Sequence, residues 1–357
     1  MLLIIVGAGA TYDSDWRRLP EGDAPGPAVE RQMAGTYYRP PLAAQLFDEE
    51  RFGSVVAEYA PSQGLTVRLR NAAAAVEQEL EAIRALSKTQ EHIPRQLLAI
   101  RYYLRHVVGG SVERWVKARP DRMTNFTRLV GGLEPWRQAS GTRVAIATFN
   151  YDTLFEEALS STLPRLRLWQ PRDMDDYTSD ERYQVFKLHG STNWWRFVQA
   201  EWVERVGVAS PAGWASNMFD PPGPYTEDGA FNLNEGAVLP CVPSLAIPMA
   251  TKTDSDFACP TEHLNELKTR LGEVTDVLII GWRGIEQHFL EMWRLVHATK
   301  KDPRIKTIAV VDRSIGAGQE VVARVTHHVG LTPGRDRYYE TFSRFVNEKL
   351  NEYLDTL

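Results

Sequence analysis

Two short segments of this sequence place reactive side chains directly after apolar runs. Residues 148–152 read Thr-Phe-Asn-Tyr-Asp, and residues 187–191 read Lys-Leu-His-Gly-Ser. The imidazole of His189 has an ordinary pKa near neutrality, which suits a general base, and the amide of Asn150 can orient a polar substrate group. Structural roles are the alternatives. Either Asn150 or Asp152 can cap a helix, one cap being sufficient, and a lone histidine at a strand end is often held by a local hydrogen bond.

A glycine turn follows the first apolar run. Gly7, Ala8, Gly9 and Thr11 come directly after it. Glycines at such a turn let the backbone approach a pyrophosphate, and the following amides and the Thr11 hydroxyl can donate to its oxygens. Tyr12 occupies the place of the third glycine of the full GxGxxG pattern, so a merely tight strand-to-helix turn is the alternative.

Two further strand ends carry candidate contacts for a nucleotide. Gly281, Trp282 and Arg283 begin a glycine-bounded segment after the apolar residues 277–280, which indicates a second place where backbone passes near a ligand. Arg283 can meet a phosphate, although an exposed arginine beside a helix start is the simpler interpretation. Asp312 ends another apolar run, where a carboxylate can accept hydrogen bonds from ribose hydroxyls.

These side chains depend on a set of buried strands to position them. Continuous apolar, β-branched runs predict five strands, and each strand is followed by a turn and then by helical periodicity. The alternation predicts a single domain over residues 1–357, an α/β fold with a Rossmann-like, doubly wound parallel sheet. The predicted strands are Leu2–Val6, Val144–Phe149, Gln184–Leu188, Val277–Gly281 and Thr307–Val311.

Two long segments interrupt this alternation. Residues 41–135 are too long for a strand connection and show helical periodicity, with one helix opening near Pro94 and another capped by Ser111. We expect an inserted helical layer there that covers the cleft or forms an assembly surface. Residues 209–243 are rich in Pro, Gly and Asp and predict an irregular excursion.

Composition excludes several classes of protein. The formal net charge of −5 gives no basis for binding a nucleic acid backbone. Two cysteines, Cys241 and Cys259, favour neither a disulfide framework nor a zinc ribbon, and we expect a cytoplasmic protein. The apolar start is too short to span a membrane. Three histidines, at positions 288, 327 and 328, lack accompanying ligands at metal spacing, so no metal is predicted.

Taken together, the Gly-Ala-Gly turn, the TFNYD and KLHGS segments and the IIGWRG segment resemble the sirtuin-like family of bacterial NADases, especially members that act in anti-phage defence. Their order and spacing cover nearly the whole chain. Sirtuins proper share the His189-Gly190 pair and have Asn-Ile-Asp where this chain has Asn150-Tyr151-Asp152. The resemblance implies that Asn150 holds the ribose and a water near the scissile bond and that His189 acts as the base. The predicted NAD-contacting set is Gly7, Ala8, Gly9, Thr11, Asp13, Asp152, Gly281, Trp282 and Asp312.

The chain also departs from sirtuins that deacylate proteins. Those enzymes carry a four-cysteine zinc module after the His-Gly pair, whereas this chain has a loop-rich stretch with one cysteine, and their Asp-Phe-Arg run is replaced here by TYDSD. The resemblance therefore implies an NAD glycohydrolase that depletes NAD. An NAD-dependent deacylase and a non-catalytic NAD or ADP-ribose sensor are the alternatives, and a dehydrogenase lacks a residue set for hydride transfer. The family implies a homo-oligomer and a co-encoded ATPase or helicase-like partner.

Overall fold

The computed structural model describes residues 1–14, 39–72, 75–117, 123–166, 168, 174–197, 225–227, 241–249, 257–299 and 305–357. Nine strands occur in this part of the chain. They are β1 Leu2–Val6, β2 Val144–Thr148, β3 Tyr183–Lys187, β4 Gly190–Phe197, β5 Tyr225–Glu227, β6 Cys241–Leu245, β7 Asp276–Ile280, β8 Ile305–Asp312 and β9 Pro333–Glu340.

Six of these strands form one sheet in the order β3-β2-β1-β7-β8-β9, and every neighbouring pair is parallel. Within this sheet the chain order is 3-2-1-4-5-6, which is the strand order of Rossmann-type folds. The order reverses between β1 and β7, so the crevice at their carboxyl ends is the expected ligand position. The predicted Rossmann-like α/β fold is confirmed.

The central strands form because both of their faces are covered. All five residues of β1, β2 and β7 are buried, which explains why these strands are largely apolar runs rather than alternating ones. The edge strand β3 is also fully buried, although it contains Gln184 and Lys187. The predicted boundaries hold to within two residues. β9 was not predicted, because its sequence PGRDRYYE is largely polar, as suits a half-exposed strand at the edge of a sheet.

Helices flank the sheet and fill the long connection between β1 and β2. The helices of at least five residues are Ala8–Tyr12, Glu49–Glu58, Gln63–Ala72, Val76–Leu86, Ile93–Lys117, Asn125–Ser140, Leu154–Thr162, Thr261–Leu271, Gln287–Ala298, Ile315–Val329 and Leu350–Leu354, with a π-helical turn at Phe345–Lys349. Among these described helices, none is long and apolar enough to cross a membrane.

The prediction of a separate helix capped by Ser111 is wrong. A single helix runs from Ile93 to Lys117, and Ser111 is buried in its interior at 1% exposure. Gly109 lies where this helix meets β4, and a Cβ atom added there would stand 3.6 Å from the Thr192 Cβ. The small residue therefore brings the helix close to β4 and does not end it.

A second, three-stranded sheet lies beside the helical layer, in the order β5-β4-β6. The helices between residues 49 and 117 share a hydrophobic cluster with Leu245 and Ile247, separate from the cluster around the large sheet. Of the predicted excursion 209–243, only residues 225–227 and 241–243 are described, and these lie in strands rather than in loops. The rest of that excursion lies outside the described residues.

Candidate active site

The carboxyl ends of the central strands bring the predicted segments to one edge of the sheet. Val6 at the end of β1 is in register with Thr148 of β2 and with Ile280 of β7. Thr148 is in turn in register with Lys187 of β3, and Ile280 with Val311 of β8. The residues that follow these strand ends therefore share one crevice, as parallel pairing requires.

Two glycine turns pack directly against each other at this edge. A Cβ atom added to Gly7 would lie 2.5 Å from the Gly281 carbonyl oxygen, and one added to Gly281 would lie 2.2 Å from the Ala10 nitrogen. The Gly9 N–H donates to the Gly281 carbonyl at 3.1 Å, and Gly281 has φ +59°. The sequence predicts that these glycines admit a ligand. In the structure, the backbone that approaches Gly7 and Gly281 is that of the opposite turn, while Ala8 is exposed.

Asn150 is held by residues that lie far away in the sequence. Its Nδ2 donates to the Gly7 carbonyl at 3.0 Å and to Thr11 Oγ1 at 2.8 Å. Both amide protons are thereby used, which fixes the orientation of the side chain. Its Oδ1 is buried and has no hydrogen-bond partner in the described part of the chain. A buried acceptor left without a partner requires an explanation, and a bound ligand or water provides one.

Asp152 caps a helix and also belongs to the hydrogen-bond network around Asn150. Its Oδ1 accepts from the Leu154 N–H at 3.1 Å, at the start of the helix Leu154–Thr162. Its Oδ2 accepts from the Thr11 hydroxyl at 2.8 Å. The single proton of Thr11 is therefore directed to Asp152 in this conformation, rather than outward to a phosphate as the sequence predicts.

His189 follows β3 and is 3% exposed. Its ring centroid lies 5.0 Å from that of Phe149 and 5.8 Å from that of His288, and the two imidazole planes differ by 19°. Gly190 has φ +77°, and a Cβ atom there would stand 1.8 Å from the Ser244 carbonyl oxygen. Gly190 is thus required for the close passage of β6, and the imidazole itself is enclosed by aromatic rings.

Phe149, the residue before Asn150, joins His189 to the second glycine turn. The Trp282 ring is 2% exposed and stacks on Phe149 with centroids 5.3 Å apart and planes 7° apart. Trp282 Nε1 donates to Glu286. Trp282 therefore forms part of the wall beside Asn150 and His189, and its indole nitrogen is already bonded within the protein.

The two remaining predicted contacts, Asp13 and Asp312, have different surroundings. Both carboxylate oxygens of Asp13 accept from Ser343, at 3.0 Å from its N–H and 2.7 Å from its hydroxyl, which joins the first helix to the C-terminal segment. Asp312 lies at the carboxyl end of β8, next to the Gly281 turn, because the Gly281 N–H donates to Val311. Asp312 thus stands at the crevice, whereas Asp13 is occupied by the fold.

A buried ion pair that the sequence did not predict lies next to Asp152. Lys187 Nζ lies 2.7 Å from Glu156 Oε1 and donates to the Asp152 carbonyl at 2.5 Å, and both side chains are at most 1% exposed. Burial raises the pKa of Glu156, while the Lys187 charge lowers it. The signal in the sequence is a lysine that closes an otherwise buried strand, since lysine is almost never fully buried unless it is paired.

No group of three or more His, Cys, Asp or Glu side chains is arranged to hold a metal ion within the described ranges. Burial raises the pKa of the Tyr151 phenol, so this neighbour of Asn150 is neutral at physiological pH. The site is therefore a largely apolar, aromatic crevice with an oriented amide and an imidazole.

Comparisons with known proteins found a family model and several solved structures that are similar to this chain. A family model described as the SIR2-like domain matches residues 144–333, more than half of the chain. Among solved structures, a Sir2 homologue in complex with NAD is 11% identical, with a TM-score of 0.43, covering 99% of this chain and 89% of that one. A Sir2 bound to an inhibitor, 2′-O-acetyl-ADP-ribose and a deacetylated peptide is 11% identical, with a TM-score of 0.38 and coverages of 99% and 94%. No curated protein matches the sequence.

Proposed function

This chain belongs to the SIR2-like domain family, and we propose that it hydrolyses NAD at the bond between nicotinamide and ribose, releasing nicotinamide and ADP-ribose. The observation that carries the proposal is the Asn150 amide. Gly7 and Thr11 fix its orientation, and its buried Oδ1 has no partner among the described residues. Leaving a buried acceptor unpaired costs about 1–3 kcal/mol, and a ribose hydroxyl or a substrate water would remove that cost.

Asn150 and His189 each have a defined role in this reaction. Asn150 Oδ1 accepts a hydrogen bond from the ribose or from the attacking water and so holds it near the anomeric carbon. The carbon–nitrogen bond breaks through an oxocarbenium-like state, and its electron pair leaves with neutral nicotinamide. Water forms the new carbon–oxygen bond, and its proton passes to His189. The aromatic rings of Phe149 and Trp282 keep the surroundings dry.

We propose that the pyrophosphate lies at the Gly7–Gly9 turn, where Ala8 is exposed, and that Asp312 contacts a ribose. The number of cysteines supports hydrolysis over deacylation. With two cysteines, this chain cannot form the four-cysteine zinc module that the resemblance associates with binding of acyl peptides.

The test is to incubate the purified protein with NAD alone and to quantify nicotinamide and ADP-ribose by chromatography. We expect equal amounts of the two products, without an acyl-lysine peptide and without added zinc. Strict dependence on an acyl-lysine peptide would replace the proposal with deacylation. We also propose that the protein forms a homo-oligomer and acts in anti-phage defence. Repeating the assay across protein concentrations tests the homo-oligomer, and repeating it on extracts of infected cells tests the defence role.

A further inference from the structure

Lys187 ends β3 and is the only buried lysine among the described residues. Its Nζ lies 2.7 Å from Glu156 Oε1 and donates to the Asp152 carbonyl oxygen at 2.5 Å. Lysine is almost never fully buried unless it is paired, and the ion pair with Glu156 meets that requirement. The bond to the Asp152 carbonyl is a second contact that the ion pair does not require, so it needs an explanation of its own.

The pairing of β2 with β3 stops short of the two candidate catalytic groups. Thr148 is in register with Lys187, and the Leu188 N–H donates to the Thr148 carbonyl at 3.0 Å. Asn150 and His189 both lie beyond this point. Their positions relative to each other therefore depend on contacts outside the strand pairing.

Hydrogen bonds on both sides of His189 connect the two segments beyond the strand pairing. Before His189 in the sequence, Lys187 Nζ donates to the Asp152 carbonyl. After it, the Thr192 N–H donates to the Tyr151 carbonyl at 2.8 Å. The second of these bonds comes from the backbone, whereas the first comes from a side chain. The bond from Lys187 can therefore be removed by substitution.

Asp152 continues the connection from Lys187 to the Asn150 amide. The Asp152 carboxylate accepts from the Thr11 hydroxyl at 2.8 Å, and Thr11 Oγ1 accepts from Asn150 Nδ2 at 2.8 Å. Asp152 is 6% exposed, so this chain of bonds is shielded from water. A shift of the Asp152 backbone would move the carboxylate that Thr11 contacts, and the Asn150 amide would move with it.

We infer that Lys187 is a positioning residue for NAD hydrolysis: its bond to the Asp152 carbonyl fixes the segment that carries Asn150 relative to the segment that carries His189. The inference rests on the proposed function for the identity of the reaction. Effective catalysis requires reacting groups to be held in a defined geometry, and a displacement of about 1 Å can cost roughly a hundredfold in rate.

The charges around Lys187 allow the ion pair and the bond to Asp152 to be separated. Lys187→Met removes both contacts and leaves the Glu156 carboxylate buried without a cation. Lys187→Met combined with Glu156→Leu removes one charge of each sign, so the net charge of the cluster is unchanged. Glu156→Gln removes the ion pair and leaves Lys187 in place to bond the Asp152 carbonyl.

The test measures NAD turnover and thermal melting in these three variants. Lys187→Met should melt lower and lose roughly 10- to 100-fold in kcat. Lys187→Met with Glu156→Leu should regain most of the melting temperature but not the kcat. Glu156→Gln should melt lower and keep its kcat within about threefold. The KM for NAD should change little in all three, because the interaction acts in the transition state.

Arg137→Met is the matched control for the loss of a buried cation. Arg137 donates to both carboxylate oxygens of Glu134, at 2.8 and 3.1 Å, and it lies on the helix Asn125–Ser140, outside the candidate site. This variant should melt lower and keep the kcat of the wild type. Recovery of both the melting temperature and the kcat in the Lys187→Met, Glu156→Leu variant would show that Lys187 has a structural role only. Equal losses of kcat in Glu156→Gln and Lys187→Met would assign the effect to the ion pair and overturn the inference.

The NMR signal of the His189 ring is a readout that requires no turnover. In protein labelled with ¹³C-histidine, this signal is the one that disappears in His189→Ala. It should shift in the Lys187→Met, Glu156→Leu variant, because the ring moves relative to Phe149, whose ring centroid lies 5.0 Å away. It should stay in place in Glu156→Gln and in Arg137→Met. An unshifted signal in the double variant would overturn the inference. If the wild type did not hydrolyse NAD but the signal still shifted, the coupling of the two segments would stand and the proposed hydrolysis would fall.

Discussion

Asn150 and His189 reach the same edge of the sheet from adjacent strands, but different forces hold them. Hydrogen bonds that Asn150 donates to the Gly7 carbonyl and the Thr11 hydroxyl orient its amide, whereas the rings of Phe149 and His288 enclose the His189 imidazole. The hydrogen bonds fix the direction of the Asn150 amide, and the rings exclude water from the His189 imidazole. A site that must orient one small group and shield a cationic transition state needs both.

Removing either group should impair turnover more than stability. We expect His189→Ala to reduce NAD turnover roughly a hundredfold or more, and Asn150→Ala to lose the orientation of ribose and water. Because the two residues act as a unit, the double variant should lose little beyond either single variant. Turnover is measured with NAD alone, alongside thermal melting.

The matched control for this experiment is His263→Gln. His263 is also a buried histidine, with Nε2 2.8 Å from the Met174 carbonyl oxygen, and it is not part of the candidate site. This variant should melt lower and keep its turnover per folded molecule. Near-native turnover by folded His189→Ala would show that His189 is a structural histidine.

The buried pair of Lys187 and Glu156 supports the Asn150 network from below. Lys187→Met leaves the Glu156 carboxylate buried without a cation, so the free energy of unfolding should fall by about 3–5 kcal/mol. Lys187→Met combined with Glu156→Leu should recover most of that loss, because both charges are then removed. Urea denaturation measures both variants.

Lys349→Met serves as the control for this pair. Its partner is Glu352, and the two side chains are 43% and 58% exposed, so the change should be below about 1 kcal/mol. If the loss in the Lys187→Met, Glu156→Leu double variant equalled the sum of the two single losses, the charges would not be acting as a pair.

The two glycine turns behave as one structural unit. The turn after β1 and the turn after β7 contact each other through backbone atoms. The helical layer also borders this region. Glu77 of the helix Val76–Leu86 pairs with Arg283 in the second turn at 3.1 Å. We propose that residues 41–135 cover the crevice, and Arg283→Ala should then change the KM for NAD more than kcat.

Gly281 is the position at which this packing is most sensitive. Gly281→Ala places a Cβ atom 2.2 Å from the Ala10 nitrogen in a residue with positive φ, and we expect a loss of roughly 2–5 kcal/mol in unfolding free energy. Gly141→Ala separates the backbone strain of a positive φ from the steric clash of the added Cβ atom. Gly141 has φ +68°, but no atom lies within 4 Å of an added Cβ, so only the backbone strain of about 1 kcal/mol applies. Equal losses measured by urea denaturation would rule out the clash.

A charged pair on the helix Asn125–Ser140 lies against the edge of the large sheet. Glu134 and Arg137 lie on the helix Asn125–Ser140, and the Arg137 guanidinium lies over the ring of Tyr183 in β3. The hydrogen bond from Arg137 lowers the pKa of Glu134 from 4.5 to about 2. The fold therefore binds the charged form of Glu134 in preference to the protonated form.

This preference predicts how stability depends on pH. Because the pKa in the folded state is lowered, the contribution of Glu134 is present above pH 4.5 and is lost as the pH falls toward 2. Glu134→Gln should lower the stability at neutral pH by up to roughly 3 kcal/mol and flatten the decline below pH 4.5. Glu291→Gln, at an exposed site bonded to Arg294, should follow the wild type. A Glu134→Gln curve parallel to that of the wild type would contradict this assignment.

Local apolar patterns predict the inner strands of the sheet and the edge at which these strands end. Apolar runs such as Leu2–Val6 are readable because a strand that is buried on both faces leaves its signal within five consecutive residues. From that signal, parallel pairing already places Asn150 and His189 at one edge. β9 left no such signal, because all of its residues are at least partly exposed.

The contacts that these residues make depend on how distant segments pack together. The Asn150 amide bonds to Gly7, 143 positions away, and the Thr11 proton goes to Asp152, 141 positions away. Gly7 and Gly281 are glycines because each turn leaves no room for a side chain on the other. Hydrophobic periodicity is a local property of the chain, whereas the direction of a hydrogen bond depends on which distant backbone the packed sheet brings within 3 Å.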